Sequence, residues 1–215
     1  MQGLLIKTMD ELTYEREYFK KGYAAVAGVD EVGRGPLAGP VVCAAVILPL
    51  EEEKRILGID DSKKLTKKKR EALAEQIKEV AIAYSIAEVD EGTIDKINIL
   101  QATKLGMKRA VESLKTPPDF VLTDGKNMTL DIDLPQESII KGDALVCSIG
   151  AASILAKVYR DKLMEEYAAQ YPEYGFEHNA GYGTAAHIQA IKEAGICKIH
   201  RKTFVKNFLD GKEKI

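Results

Sequence analysis

The stretch VDEVGRGPLAGPVV, residues 29–42, decides how the rest of the chain is read. An apolar run, YAAVAGV (23–29), stops at two adjacent acids, Asp30 and Glu31. Gly33, Arg34 and Gly35 follow, then Pro36 and Pro40, and a second apolar run, VVCAAVIL, fills 41–48. Two short β-rich runs separated by Gly and Pro predict neighbouring strands. A buried strand that ends on Asp30, with a second acid beside it and an arginine three residues on, exceeds what a fold requires.

Working outward, residues 10–22 read as a short amphipathic helix leading into the first strand. The segment IDDSKKL (59–65) is a loop, and Thr66 then reads as the N-cap of a helix through about Ala81, with Leu73, Ile77 and Val80 on one face. IAYSIAEV (82–89) alternates as a third strand does. INILQATKLGMKRAVESL (97–114) predicts a helix, PPDFVLTDG (117–125) a turn, a short strand and a stop, and ESIIKGD (137–143) a further short strand or edge. A long helix lies within 144–170, another spans about Thr184 to Ala194, and a basic tail follows. Three strands in succession, then strands alternating with helices, predict a mixed α/β sheet. The division expected is an N-terminal helical extension (1–22), a central α/β domain (23–170) and a C-terminal helical part (171–215).

Acids recur where apolar segments stop: Asp30, Asp124 in FVLTDG, and Asp143 in KGDA. Ligand sites in open α/β sheets gather at strand ends. Carboxylates meeting there repel one another, and a divalent cation reverses that penalty. Oxygen-only ligands favour Mg²⁺ or Mn²⁺ over zinc. Asp124 alone also reads as an ordinary Asp-Gly turn. Asp30 and Glu31 point to opposite faces of a strand and serve one site only if the backbone turns between or just after them, which Gly33 and Gly35 allow. Backbone N–H groups of a glycine turn approach a phosphate or sugar closely, and Arg34 adds a forked donor; a solvated surface turn is the plainer alternative.

The net charge is only −2, so no overall basic field points to nucleic acid. Charge is uneven, however. Lys63 to Arg70 carries five lysines and one arginine without an acid, and the tail adds Lys198, Arg201, Lys202 and Lys206, which are expected either to grip phosphates or to form a solvated face. Cys43, Cys147 and Cys197 match no zinc spacing and suit a reduced cytoplasmic protein. The charged N-terminus does not resemble a secretory signal, and prolines interrupt the best apolar run.

These residues closely resemble the ribonuclease HII (type 2 ribonuclease H) family, from about Gly22 to Phe208. AGVDEVGRGPLAGPVVCAAVIL (27–48) resembles its first strand, acid pair and Gly-Arg-Gly loop. DDSKKLT (60–66), LTDG (122–125), KGDALVCSIGAASILAKVYRD (141–161) and HNAGYGTAAH (178–187) resemble four further segments in order. The resemblance implies a ribonuclease-H-like fold: a five-stranded mixed sheet flanked by helices, with a C-terminal helical appendage. It implies hydrolysis of RNA in RNA/DNA hybrids and incision 5′ of ribonucleotides embedded in duplex DNA, leaving 3′-OH and 5′-phosphate ends. Asp30, Glu31, Asp124 and Asp143 map onto the acids that hold two Mg²⁺ or Mn²⁺ ions, Gly33, Arg34 and Gly35 onto the loop that reads the 2′-OH, and Tyr182 onto the tyrosine packing on the sugar at the DNA–RNA junction. On this assignment Asp30, on a central strand, serves both ions, Glu31 and Asp124 one, and Asp143 the other. Ser62 and Lys63, ahead of a helix N-terminus, are assigned to the phosphate backbone, as is Ser148, for which packing is the alternative; Ser153 is read as packing. Gly150 stands where the family more often has alanine. Without the resemblance, Tyr182 reads as a loop residue packing on a helix.

A monomer acting on hybrid and ribonucleotide-containing duplexes, with no membrane partner, is the expectation. The rivals are another metal-dependent nuclease and a non-catalytic hybrid-binding module, the latter disfavoured because all four acid positions are acidic. A phosphate-loop NTPase is excluded for want of a Gly-Lys-Ser/Thr loop.

Overall fold

The computed structural model describes residues 12–59, 62 and 65–209. Five strands form one mixed sheet: β1 (Val26–Val32), β2 (Val41–Ile47), β3 (Ala83–Val89), β4 (Phe120–Asp124) and β5 (Gln136–Ile139), in the order β3-β2-β1-β4-β5. β1, β2 and β3 pair antiparallel, whereas β1–β4 and β4–β5 are parallel. The helices are α1 (Thr13–Lys20), α2 (Lys67–Val80), α3 (Glu91–Glu112), α4 (Cys147–Gln170), α5 (Phe176–Asn179), α6 (Ala185–Ala194) and α7 (Lys202–Val205). This is the five-stranded mixed sheet flanked by helices that the resemblance implies.

Helices cover both faces of the central strands, so every residue of β2 is buried and VVCAAVI reads as a continuous apolar run. On one face Ala27, Val29, Cys43 and Ala45 pack with Met107, Ala110 and Val111 of α3. On the other, Val42, Ala44 and Val46 pack with Ala151, Ala152 and Leu155 of α4 and with Leu73 and Ile77 of α2. Fully burying one such Val, Leu or Ile contributes roughly 1.5–3 kcal/mol. The close approach of α4 to β1 depends on Gly28: a Cβ there would lie 2.2 Å from the Ser148 carbonyl carbon and 2.3 Å from the Ile149 nitrogen.

Several predicted boundaries shift. β1 does not stop at Asp30; Asp30 and Glu31 pair with Ala44 and Cys43, and the strand runs on to Val32. The turn comes at Gly33, with φ +91°, whereas Gly35 has no positive φ. α3 starts at Glu91 rather than 97, because Asp90 caps it by accepting from the Thr93 N–H at 2.8 Å. The predicted start survives as a break at Asn98 (φ 65°, ψ 164°), whose side chain accepts from Leu100 and Gln101 N–H and caps the second segment. Thr66 caps α2 as expected, and Thr184, the expected start of α6, is its N-cap.

α4, about 36 Å long at the standard helical rise, runs from the strand ends to the C-terminal part. There Met164, Tyr174, Phe176, Ile191, Ile199 and Val205 bury Leu37 and Ala38, residues of the β1–β2 connection. Ala38 bridges His200, and Leu37 exchanges backbone hydrogen bonds with Gly181 and Arg201. The last segments of the chain are thus built around the loop that follows the first strand. Among the described residues no helix is long and apolar enough to cross a membrane.

Candidate active site

β1 is the middle strand of the five. Its parallel register with β4 pairs Val29 with Thr123. One step further along both strands stand Asp30 and Asp124, side by side and directed to the same, α4, face. Asp30 is buried, and its carboxyl is held well above the usual range, by burial first and then by the negative charges of Glu31 and Asp124. The Ser153 hydroxyl on α4 hydrogen-bonds Asp30 and opposes that shift. Glu31, one residue on, leaves the opposite face, where Arg34 Nη1 donates to its Oε1 at 3.3 Å. Asp124 Oδ1 accepts the N–H groups of Gly142 (2.6 Å) and Asp143 (3.4 Å). That contact ties β4 to the one-turn 3₁₀ helix Gly142–Ala144, which carries Asp143 beside the start of α4.

The loop after β1 is shaped from behind by two buried arginines. Arg201 donates from Nη2 to Gly33 O (2.6 Å) and Gly39 O (2.7 Å), from Nη1 to Arg34 O (2.9 Å) and from Nε to Gly39 O (2.9 Å). Arg160 of α4 donates to the carbonyls of Ala38 (3.1 Å), Pro40 (3.1 Å) and Ala180 (2.9 Å). Burial, then the neighbouring Arg160 charge, push the Arg201 guanidinium down to about 9, so it remains a cation at neutral pH. A planar trans peptide holds its N–H opposite its C=O. With the Gly33 and Arg34 carbonyls turned inward to Arg201, the N–H groups of Arg34 and Gly35 face the other way, on an exposed stretch of loop. Gly35 meets the exposed ring of Tyr182: a Cβ on Gly35 would lie 3.6 Å from the ring.

The family described as Ribonuclease HII matches residues 27–207, nearly all of this scaffold. The chain belongs to the ribonuclease HII family. It is 55% identical over 200 residues to the ribonuclease HII of Enterococcus faecalis, covering 93% of this chain and 76% of that one. The ribonuclease H2 of Pyrococcus horikoshii OT3 superposes with a TM-score of 0.74 at 27% identity, over 86% of this chain and 97% of the other. Bst-RNase HIII, solved in complex with Mn²⁺, shares the fold at a TM-score of 0.61 and 21% identity, over 80% of this chain and 63% of that one. Ribonuclease HII activity, that of a metal-dependent endoribonuclease, follows for this chain.

Asp30 and Asp124 are oxygen donors of the kind that suits a hard divalent cation, and Asp30 is pushed up by burial first and then by the charges of Glu31 and Asp124. Among the described residues, no three His, Cys, Asp or Glu side chains are drawn together tightly enough to enclose an ion as they stand. Asp124 spends one oxygen on backbone N–H groups.

Other expected contacts fall elsewhere. Ser62 is buried; its hydroxyl meets Ser153 Oγ at 3.0 Å, and its carbonyl accepts from Arg70 at 2.6 Å. It stands behind Asp30 through Ser153, a polar link that the packing reading of Ser153 missed. Lys63 lies outside the described residues. Ser148 has no exposed surface and donates its N–H and hydroxyl to Glu15 Oε1 of α1 at 2.8 and 2.6 Å. Arg201, read as part of a phosphate-gripping tail, is wholly buried and committed to loop carbonyls, so it is not available to phosphate; Lys198, Lys202 and Lys206 remain exposed. Arg160, Arg201 and Glu15 have no local sequence signal, because each acts on a segment more than a hundred residues away.

Proposed function

We propose that the enzyme hydrolyses the RNA strand of RNA/DNA hybrids and incises 5′ of single ribonucleotides in duplex DNA, leaving 3′-OH and 5′-phosphate ends. Asp30, Glu31, Asp124 and Asp143 would hold two Mg²⁺ or Mn²⁺ ions. When bound, such ions supply water activation and stabilisation of the leaving oxygen. The observation that carries the reading is the pair Asp30 and Asp124 side by side on adjacent parallel strands, with the turn at Gly33 three residues after Asp30 opening a loop whose N–H groups face outward.

The chain's own residues supply selection. The 2′-OH is the sugar difference between RNA and DNA, and it both donates and accepts. The N–H groups of Arg34 and Gly35 are donors suited to its oxygen. The Tyr182 ring, opposite Gly35, offers a face for the neighbouring deoxyribose. Lys198, Lys202 and Lys206 belong with the C-terminal part in contacting duplex phosphates, a contact that weakens with salt. The same reading places the enzyme in the cytoplasm, where its three cysteine thiols suit a reducing compartment.

Cleavage-site mapping tests this on an RNA/DNA hybrid, a DNA duplex with one ribonucleotide and an all-DNA duplex, each with Mg²⁺ and with Mn²⁺. Cuts confined to the first two, 5′ of the single ribonucleotide and lost in Asp30→Asn, are expected. Cutting of the all-DNA duplex, or turnover by Asp30→Asn, would sink the reading.

A further inference from the structure

The ring of Tyr182 is set by its backbone, and that backbone is held by a buried pair of histidines. The Tyr182 N–H donates to Asn179 O at 2.8 Å, and its carbonyl accepts the Thr184 N–H at 2.8 Å. The same carbonyl lies 2.9 Å from His187 Nδ1. His187 is the third residue of α6, and its own N–H donates to the cap Thr184 Oγ1 at 3.2 Å. Its side chain then reaches back over the cap, the place taken by Glu or Gln in a capping box. Here it meets a carbonyl rather than an N–H.

Behind His187, its Nε2 lies 3.0 Å from His200 Nε2, and His200 Nδ1 accepts the Cys197 N–H at 2.9 Å. His187 is 0% and His200 3% exposed, packed against the rings of Tyr174 and Phe176. Proton directions follow from the two ends. A backbone N–H only donates, so His200 Nδ1 carries no proton. A backbone carbonyl only accepts, so His187 Nδ1 carries one. For two neutral imidazoles the middle bond then runs one way, from His200 Nε2–H to His187 Nε2. A second proton on either ring would set two donors face to face. Burial pushes both imidazoles below their usual range, which agrees with a neutral pair. His200 is also the residue that bridges Ala38, so the pair connects Tyr182 to the arginine-held loop.

We propose that His187 is a positioning residue for substrate discrimination. As the Nδ1–H tautomer, kept so by His200, it fixes the Tyr182 carbonyl and thereby sets the ring opposite Gly35. The inference rests on the reading that Tyr182 packs on the sugar beside the ribonucleotide.

The test compares wild type, Tyr182→Ala, His187→Leu, His187→Asn and the double variant Tyr182→Ala/His187→Leu. Each is assayed on a DNA duplex with one ribonucleotide and on an all-RNA/DNA hybrid. His187→Leu is expected to lower kcat/KM on the single-ribonucleotide duplex about tenfold, the upper range for one neutral hydrogen bond, with a smaller loss on the hybrid. His187→Asn, whose amide N–H stands near the place of Nδ1–H, restores most of it, and the double variant is no worse than Tyr182→Ala. Equal losses on both substrates, or full activity of His187→Leu beside an impaired Tyr182→Ala, overturn the role of His187. An unchanged substrate preference in Tyr182→Ala overturns the underlying reading, and the inference with it. Imidazole ¹⁵N NMR of the wild type needs no variant to fold: Nδ1–H on His187 and Nε2–H on His200 are expected, and the reverse assignment overturns the proposal.

Discussion

Arg201 Nη2 donates to the Gly33 carbonyl at 2.6 Å, although 168 positions separate the two residues. The contact is buried, and the guanidinium also serves Arg34 and Gly39. The shape of the loop beside the acids is therefore imposed by the far end of the chain. Asp95 of α3 fixes that end in turn, accepting the N–H groups of Lys202 and Thr203 at 2.8 and 3.0 Å.

Replacing Arg201 by lysine keeps a charge but loses the planar fork. Leaving buried carbonyls unserved costs about 1–3 kcal/mol each. For a chain of this size, roughly 3 kcal/mol corresponds to a fall of about 10 °C in the melting midpoint. Arg201→Lys should show such a fall by calorimetry, together with weakened preference for ribonucleotide-containing duplexes over DNA. An unchanged midpoint and preference would show that the loop holds its shape alone.

Asp30→Asn should melt higher than wild type without divalent ions. The Asp30 carboxyl is raised in the fold, so its ionised form is disfavoured there, and stability linked to it is greatest at low pH and declines as pH rises through the folded value. Asparagine removes that penalty permanently. Added Mg²⁺ should then raise the midpoint of wild type and leave Asp30→Asn nearly unmoved. Equal Mg²⁺ responses in thermal melts would argue that Asp30 does not take part in binding the ions.

Glu15 caps α4 from another helix, since the N-cap Val146 offers no side-chain acceptor. Loss of a cap costs about 1 kcal/mol, and the orphaned Ser148 donors add to this. Glu15→Ala should lower the urea midpoint by an amount equivalent to about 2 kcal/mol, and Glu15→Gln, which keeps an acceptor, by less. Identical urea curves for Glu15→Ala and wild type would deny the cap any energetic role.

Acid should loosen the C-terminal part before the sheet. His200 is pushed down to about 4, by burial first and then by His187, and His187 is lowered as well. The unfolded chain takes up these protons near pH 6.5, the folded one only at lower pH. Stability is thus full above about 6.5 and declines toward pH 4, by on the order of 3 kcal/mol for His200. Hydrogen exchange between pH 7 and 4.5 should show α6 and residues 196–201 losing protection ahead of β1 and β2. Uniform loss would contradict a local origin.

Local signals carried much of this structure. The apolar runs, the glycines after Glu31 and the threonine caps each act within a few residues, so the strands and helices were legible in order. The acids were legible because they stand where apolar runs stop. What was hidden is whatever depends on a distant partner. Arg201 looked like one more cation in a basic tail, and only the fold turns it inward to Gly33. His187 and His200 carry no local signal, because 13 positions separate rings that touch. Asp30 seemed to end its strand, because charge was read as the limit of pairing; the ladder tolerates acids where their side chains leave the sheet.

The dependence of the first loop on Arg201 also orders the making of the molecule. Chains are synthesised from the N-terminus, and domains generally fold as units. Residues 30 and 124 are synthesised long before residue 201, whose guanidinium meets the carbonyls of Gly33 and Arg34. A half-made chain would possess the acids without the arginine contacts of the loop beside them. On the proposed reading of that loop, the segment that selects the sugar takes its final contacts only when Arg201 has been added.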